Sequence, residues 1–400
     1  MLIKMRTRIS IAVFLVLITL FGVSKVSAYG ELERKLETYL QVMEIIKSDY
    51  VEKNVDDQKL VYGSIRGLLD ALDDPYTRFM EPTAYKEMKT RMGGSYSGIG
   101  IYIGIKEKQL SVITPIEGTP AKKAGLKSGD FILNIDNRPT KDMALDEAVS
   151  LIRGQAGTKV KLQILRKGWK EAKEFNIGRA KIVIKSVEAK MLPDKLAYIK
   201  LNTFENINAA HEFESSLRKY READGLIIDV RNNGGGLLQN AIDIGSMFIR
   251  DGAIVQTIDR EGRREVLQSS GRVIWTKPVV MLMNESSASA SEILAGALRD
   301  NKVATLVGNH SFGKASVQNV RQLSDGSALL VTIAKYLTPD GEDITKRGIS
   351  AEVQVLVPTK EAELDLEMPD ETKDVQLQKA IEVLKDRIIE RAPTTGSMGE

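Results

Sequence analysis

The chain has 400 residues, of which 42% are hydrophobic and 28% are charged, so it is long enough for about two or three ordinary globular domains. It has no cysteine and two histidines, which excludes disulfides, thiolate catalysis and cysteine–zinc sites and argues against a histidine-rich metal site. The net charge is +3, but residues 1–29 hold four basic residues and no acid, which leaves −1 for the remainder. We therefore expect no nucleic-acid partner and no metal.

The N-terminus has the pattern of a targeting segment. Three basic residues within positions 4–8 precede an apolar run over residues 9–23, and the small residues of "VSA" at 26–28 resemble a cleavage site. The run of 15 residues suits a signal sequence and is short for a membrane span of about 20. We predict a signal peptide or N-terminal membrane anchor over 1–29. The rest of the chain then lies outside the cytoplasm, secreted or anchored.

Hydrophobic periodicity changes twice along the remaining chain. Apolar residues recur at three- and four-residue steps up to a short predicted helix over Pro82–Met92, and short alternating strands then follow between Gly93 and Arg179, interrupted by one helix over Leu145–Arg153. After Arg179, buried-type strands alternate with helices, which predicts an α/β core. The predicted organisation is a leader (1–29), a helical region (30–92), a small mostly β module (93–180), an α/β core (181–358) and a C-terminal helical region with a polar tail (359–400).

A glycine-rich turn follows the most apolar predicted strand. In "DVRNNGGGLL" the strand ends near Asp229, three glycines follow, and a helix begins near Leu238. Glycines at such a turn let backbone N–H groups approach a ligand, so this turn can hold an oxyanion. The spacing matches neither a nucleotide P-loop nor a dinucleotide-binding loop. An ordinary tight turn remains the alternative on these residues alone.

Four serines crowd the junction between another predicted strand and its helix, in "NESSASASEILAGALRD". A serine at this position gains from the helix N-terminus, which stabilises developing negative charge. Ser289 and Glu292 also form a capping-box pattern, so capping is the competing explanation. A nucleophilic serine needs a base, and "GNHSFGKASVQ" offers His310 and Lys314. Lysine can act only when burial lowers its pKa by roughly 3 units; an exposed lysine is the alternative.

These segments together resemble the C-terminal processing peptidases, also called tail-specific proteases. The resemblance rests on the serine, lysine and glycine segments, and it extends over about residues 30–390. Four further segments match in order: "LDDPYTRFM" at 72–80, "GIGIYIG" with "TPAKKAGLKSGDFILNID" in a PDZ-like module, "KYLTPDGEDITKRGI" at 335–349 and "DVQLQKAIEVL" at 374–384. The resemblance implies an α/β fold with a Clp protease/crotonase-like core, an inserted PDZ domain and terminal helices.

The resemblance also assigns site residues. It implies Ser289 as nucleophile and Lys314 as general base, with Gln318, one helical turn further on, orienting the lysine. The implied oxyanion hole uses the backbone N–H of Ala290 and of Gly235 or Gly236. Where the family commonly has proline before its glycine pair, this chain has Gly234. His310 lies outside the motif and is expected at the surface, and Asp300 is expected to be structural.

The PDZ-like module would select substrates. The resemblance implies that Gly98, Ile99, Gly100 and Ile101 bind a C-terminal carboxylate while the peptide adds as a strand, with the predicted helix over Leu145–Arg153 as the other wall and Arg153 as a weaker candidate for coupling to the core. Expected substrates are proteins or peptides with nonpolar C-termini, cleaved without a cofactor. A membrane anchor and a homodimer stay open. So do a non-catalytic PDZ scaffold and a crotonase-type acyl-CoA enzyme, although the latter gives no reason for a PDZ insert or a leader.

Overall fold

The structure is a computed structural model, and it describes residues 31, 33–106, 109–116, 118–141, 143, 145–183, 185–356 and 372–391. The predicted leader lies outside these residues. Among the described helices, none combines the length and the apolar character that crossing a bilayer requires. The chain divides into two compact units, residues 1–72 and 73–400.

The first unit contains two described helices, α1 over 33–49 and α2 over Asp57–Asp70. Asp56 caps α2, because its carboxylate accepts a hydrogen bond from the backbone N–H of Lys59 at 3.1 Å. The Tyr39 hydroxyl lies 2.9 Å from Ser64 Oγ and so joins the two helices. The predicted helical periodicity is confirmed here.

The second unit begins with a short strand and a helix, followed by the small β module. The module's six-stranded sheet has the order β3-β4-β5-β7-β8, with β6 paired to β5, and β2 pairs with β9 in a separate two-stranded sheet. Its core joins this sheet to a longer helix through Ala148 and Ile152 and to a short helix through Ala121. The bounds are β1 Arg78–Met80, α3 Pro82–Met92, β2 Ser95–Gly98, β3 Ile101–Lys106, β4 Gln109–Pro115, α4 Pro120–Lys123, β5 Phe131–Ile135, β6 Arg138–Pro139, α5 Leu145–Ile152, β7 Lys159–Leu165, β8 Lys173–Gly178 and β9 Ala180–Val183.

The α/β core is built on a six-stranded sheet of order β10-β11-β12-β15-β16-β19, in which all pairs except β10–β11 are parallel. A short 3₁₀ turn over Pro193–Lys195 separates the first two strands. The bounds are β10 Val187–Leu192, β11 Leu196–Leu201, α6 Ala209–Lys219, β12 Gly225–Asp229, α7 Leu238–Ser246, β13 Ala253–Asp259, β14 Arg264–Gln268, β15 Val279–Met283, α8 Ala290–Asp300, β16 Ala304–Gly308, β17 Ser316–Gln322, β18 Ala328–Leu337, β19 Val353–Gln354 and α9 Val375–Arg391.

Both faces of the central strands are buried, as their continuous apolar sequence predicts. Ile228 and Met281 pack into the cluster that holds α6, α7 and α8, whereas Ile227 and Val280 pack into the cluster that holds α9. Successive strand residues point to opposite faces, so each strand needs apolar residues at every position. The sheet therefore lies between helices on both sides.

A second sheet of the core was not predicted. It has the order β1-β18-β13-β14, with β17 also paired to β18. Strand β1 comes from the predicted helical region, yet Arg78 pairs with Leu330 and Met80 with Ala328. The segment that precedes the β module is thus part of the core, and the module is inserted after it.

Candidate active site

The parallel sheet brings the three candidate segments to one edge. Strands β12, β15 and β16 are parallel neighbours. Their carboxyl ends lead into the glycine turn (residues 230–237), the serine turn (residues 284–289) and the lysine loop (residues 309–315). Ligand sites of open α/β sheets form outside the carboxyl ends of the strands. The segments singled out from the sequence therefore meet where such a site is expected.

Two of the four crowded serines tie the serine turn to the glycine turn. The Ser287 hydroxyl donates to the carbonyl oxygen of Val230 at 2.8 Å, and the Ser291 hydroxyl donates to that of Asn233 at 2.9 Å. Both serines are buried, whereas Ser286 is exposed. These ties give Ser287 and Ser291 structural positions, and they leave Ser286, at the exposed surface, and Ser289, at the start of α8.

Ser289 occupies a strained backbone position at the start of α8. Its φ of 56° lies in the region that favours glycine, and such a residue typically costs about 1–3 kcal/mol. Its backbone N–H donates to Oε2 of Glu292 at 2.8 Å, the carboxylate half of the predicted capping box. The strained turn places Ser289 immediately before Ala290, the first residue of the helix.

The glycine turn lies directly against this serine. A Cβ built on Gly235 would come within 2.5 Å of the Ala288 carbonyl oxygen and 2.8 Å of the Ala290 nitrogen. Gly236 is equally confined, since a Cβ there would lie 2.2 Å from the nitrogen of Glu205. Both residues also have positive φ, at 94° and 147°. Only glycine fits at these two positions. The short distances from Gly235 also show that the two predicted oxyanion-hole segments are adjacent.

The donors of the glycine turn are partly engaged in this structure. The Gly235 N–H donates to Oδ1 of Asn233 at 2.9 Å. Ala290, as the first residue of α8, has no intrahelical partner for its N–H. Gly234, where the family has proline, has open space around a built Cβ, so this position is not glycine for steric reasons.

A buried carboxylate, Glu292, links the serine to the lysine. Its Oε2 accepts the backbone N–H of Ser289 at 2.8 Å and that of Lys314 at 3.1 Å. It is 1% exposed and also accepts hydrogen bonds from Gly313 N, Ser311 Oγ and Tyr336 OH at 2.6, 2.6 and 3.0 Å. The sequence pattern predicted only a capping role for Glu292, because its partners lie up to 44 positions away.

Lys314 is half-buried, and its amine faces a ring rather than a carboxylate. Its Nζ lies 5.1 Å from the centroid of the Tyr76 ring. Burial, helped by the nearby Arg78 guanidinium, lowers the pKa of Lys314, although Glu292 and Asp74 act in the opposite direction. The direction is the one that a lysine base requires. Tyr76 and Arg78 were missed as site residues, and the matched "DDPYTRFM" segment was the available signal.

Gln318 does not contact the lysine amine in the predicted way. It stands on β17, so its spacing from Lys314 is along a strand and not along a helical turn. Its amide nitrogen donates to Ser316 Oγ at 2.7 Å and to Thr332 Oγ1 at 3.4 Å. Gln318 therefore belongs to the strand pair that supports the lysine loop.

The remaining polar candidates have structural positions. His310 is exposed and contacts only its neighbour Asn309 among the hydrogen bonds of the described residues. Asp300 accepts from Arg299 Nε at 2.7 Å and from the backbone of Asp340 at 3.0 Å. Within the described part of the chain, no three His, Asp or Glu side chains gather closely enough to hold a metal ion.

The candidate carboxylate loop of the β module adjoins an open sheet edge. Ile101 begins β3, whose ladder partner among the described strands is β4 alone. Gly100 has a φ of 80°, and its carbonyl accepts hydrogen bonds from Ile116 N and Thr119 Oγ1, both at 3.0 Å. A rigid glycine loop thus leads into an edge strand, which is the arrangement that strand addition by a peptide requires. Arg153 adjoins this loop: it pairs with Glu87 at 3.3 Å, and its Cγ lies 3.8 Å from a Cβ built on Gly98.

Comparison with known proteins identifies the chain's regions. A profile of peptidase family S41 matches residues 195–355, a PDZ-domain profile matches residues 87–165, and a profile of the activating protease CtpB N-terminal domain matches residues 23–84. The carboxyl-terminal-processing protease of Synechocystis sp. is 38% identical over 348 residues, which cover 85% of this chain and 80% of that protein. The carboxy-terminal processing protease CtpA of Bacillus subtilis is 37% identical, covering 82% and 70%.

A solved structure from Bacteroides fragilis that is assigned to the S41 proteases supports the fold alone. Its TM-score is 0.55 at 14% identity, and the match covers 86% of this chain and 96% of that one. The chain belongs to peptidase family S41, among the C-terminal processing proteases. It is a serine-type peptidase with a PDZ domain, so the scaffold and acyl-CoA enzyme alternatives are set aside.

Proposed function

We propose that the protein cleaves protein substrates with a Ser289–Lys314 dyad after its PDZ domain captures their C-terminal tails. The observation that supports the dyad most strongly is the shared Glu292 oxygen, which accepts the backbone N–H of both residues. One rigid acceptor fixes the two backbones relative to each other. Burial also favours the neutral amine that a lysine base needs.

In the proposed mechanism, the neutral Lys314 amine accepts the hydroxyl proton while Ser289 Oγ attacks the peptide carbonyl. The resulting ammonium then gives this proton to the leaving amine, and water repeats the sequence on the acyl-enzyme ester. We assign the oxyanion to the N–H of Ala290 and to a second donor from Gly235 or Gly236. Losing one such donor typically slows turnover by about 10²–10³-fold. Gly235 N–H has to leave Asn233 before it can serve.

Gln318 is proposed to orient Lys314 through the strand pair, since its amide is held by Ser316 and Thr332. The proposed capture site is the loop over Gly98–Ile101 and the adjoining edge of β3. Nonpolar C-termini are the expected ligands, because Ile105 and Leu145 expose apolar surface on β3 and α5. We place the activity outside the cytoplasm on the basis of the predicted leader.

Casein digestion tests the dyad. Ser289→Ala and Lys314→Ala should each abolish digestion while leaving the thermal unfolding cooperative, and Lys314→Arg should be inactive because a guanidinium stays charged. Ser286→Ala is the matched control, since this serine is exposed in the same turn and should be fully active. Digestion by either alanine variant would refute the dyad. Amidating the C-terminus of a peptide substrate tests capture, and unchanged KM would refute it.

A further inference from the structure

The turn over Asp74–Thr77 lies in the core, before the PDZ domain, and is closed by its own side chains. The Asp74 carboxylate accepts the backbone N–H of Tyr76 at 3.0 Å and the hydroxyl of Thr77 at 2.7 Å. This is an Asx-type closure, in which a side chain replaces a backbone acceptor. The conformation of Tyr76 is therefore set locally by its neighbours on both sides.

The same turn is fastened to the core strand that flanks the lysine loop. Thr77 is 7% exposed, and its Oγ1 accepts the backbone N–H of Thr332 on β18 at 3.0 Å. The next residues form β1, which continues the pairing with β18. The turn is thus held at a fixed position relative to Lys314, although Thr77 and Lys314 lie 237 positions apart in the sequence.

The Tyr76 ring then lies over the Lys314 amine, with 5.1 Å between Nζ and the ring centroid. Among the described residues, this Nζ makes no hydrogen bond and no ion pair. The charged and titratable groups that face it are Arg78 from β1, Asp74 and Tyr76 from the turn, and Glu292 from α8. Tyr76 brings no charge, since burial, with Glu292 and Asp74, raises the pKa of its hydroxyl.

We propose that Tyr76 is a positioning residue that closes the pocket of the general base, excluding water from the Lys314 amine so that the amine is neutral during turnover. An aromatic face attracts an ammonium, which alone would favour the charged lysine. Water exclusion acts in the opposite direction, because an ammonium loses its hydration in the covered pocket. Burial is the leading cause that lowers the pKa of Lys314, and we assign part of that burial to the Tyr76 ring above the amine. This proposal rests on the proposed role of Lys314.

The pH profile of kcat/KM tests whether the Tyr76 ring acts as a lid over the Lys314 amine. Tyr76→Ala should move the rising limb to higher pH, and activity at pH 7 should fall about tenfold for each unit of that shift. Tyr76→Phe keeps the ring and should restore the wild-type profile. Thr77→Val loosens the turn without removing the ring, so a smaller shift of the rising limb in the same direction is expected. This variant serves as the test if Tyr76→Ala folds poorly. Tyr85→Ala is the matched control, because that ring contacts Lys89 at 4.3 Å elsewhere in the same unit.

A measurement without turnover tests the proposed role of Tyr76 separately from the proposed Ser289–Lys314 dyad. Competitive labelling with acetic anhydride reports the pKa of Lys314 in a Ser289→Ala background, because only the neutral amine reacts. The midpoint should rise when Tyr76→Ala is added and stay unchanged with Tyr85→Ala. If Tyr76→Ala left the labelling midpoint unchanged, the proposed role of Tyr76 would be wrong even if the dyad were correct. Activity in Lys314→Ala would instead overturn the dyad, whatever the labelling midpoint does.

Discussion

Two buried carboxylates at the same edge of the sheet are held in opposite ways. Asp229 and Glu292 are each 1% exposed. Asp229 pairs with the Arg231 guanidinium at 2.7 Å, whereas the donors that reach Glu292 within the described part of the chain are backbone N–H groups, a hydroxyl and a phenol. Burial opposes ionisation of Asp229, but Arg231 nevertheless holds the pKa of this carboxyl below its usual range.

The difference follows from what each region has to do. Arg231 also binds Asp374, at the start of α9, at 2.7 Å, so the ion pairs fasten the C-terminal helix beside the glycine turn. At Glu292 an ion pair with Lys314 would favour the charged lysine, which is useless as a base. Uncharged donors occupy the Glu292 oxygens instead, and the lysine amine extends toward Tyr76. The region around Asp229 uses charge pairing, and the proposed catalytic region around Glu292 and Lys314 does not.

The largest effect on stability is expected from removing the ion pair between Asp229 and Arg231. Arg231→Met leaves Asp229 buried without its cation, so the free energy of unfolding should fall by about 3–5 kcal/mol, as measured by urea denaturation. Adding Asp229→Asn should recover part of this loss, because no uncompensated charge then remains. Arg272→Met is the matched control: its pair with Glu214 is 65% exposed on the arginine side and is worth under about 1 kcal/mol. Equal losses in the two arginine variants would contradict the comparison.

Substitution of Glu292 should lower the free energy of unfolding by less than Arg231→Met does, and it should lower catalytic activity by more. Glu292→Gln places an amide N–H₂ where donors already converge, so the free energy of unfolding should fall by about 2–3 kcal/mol. The turnover number should fall as well, because the single amide oxygen cannot serve both the N–H groups of Ser289 and Lys314 and the donors Ser311 and Gly313. Removing the negative charge also lowers the pKa of Lys314, so the rising limb of the kcat/KM profile should move to lower pH. If the rising limb moved to higher pH instead, Glu292 would not act on Lys314 as a nearby negative charge.

The comparison also separates what the sequence predicts from what it does not. Periodicity located the helices and the doubly buried strands, and parallel pairing explains why their turns meet. The ties made by Ser287 and Ser291 were missed, because their partners lie 57 and 58 positions away. The same reason applies to Arg231 and Asp374, which are 143 positions apart, and to β1 on β18. Local pattern predicts elements and turn chemistry, whereas long-range hydrogen bonds depend on the assembled sheet.

The smallest expected effect is a gain in stability. Because burial lowers the pKa of Lys314, the folded state disfavours its ammonium, and Lys314→Met should raise the free energy of unfolding at neutral pH, by at most about 1.4 kcal/mol per unit of the pKa shift because solvent screens the partly exposed amine. The sign depends on pH. Below the folded pKa the cost of the lysine is fully present, and it vanishes as the pH rises through the ordinary lysine value of about 10.4, so the stability difference should shrink toward zero. Thermal unfolding at several pH values measures this difference. If Lys314→Met destabilised the protein at pH 7, the amine would be favourably solvated or paired, and the base would lack its neutral form.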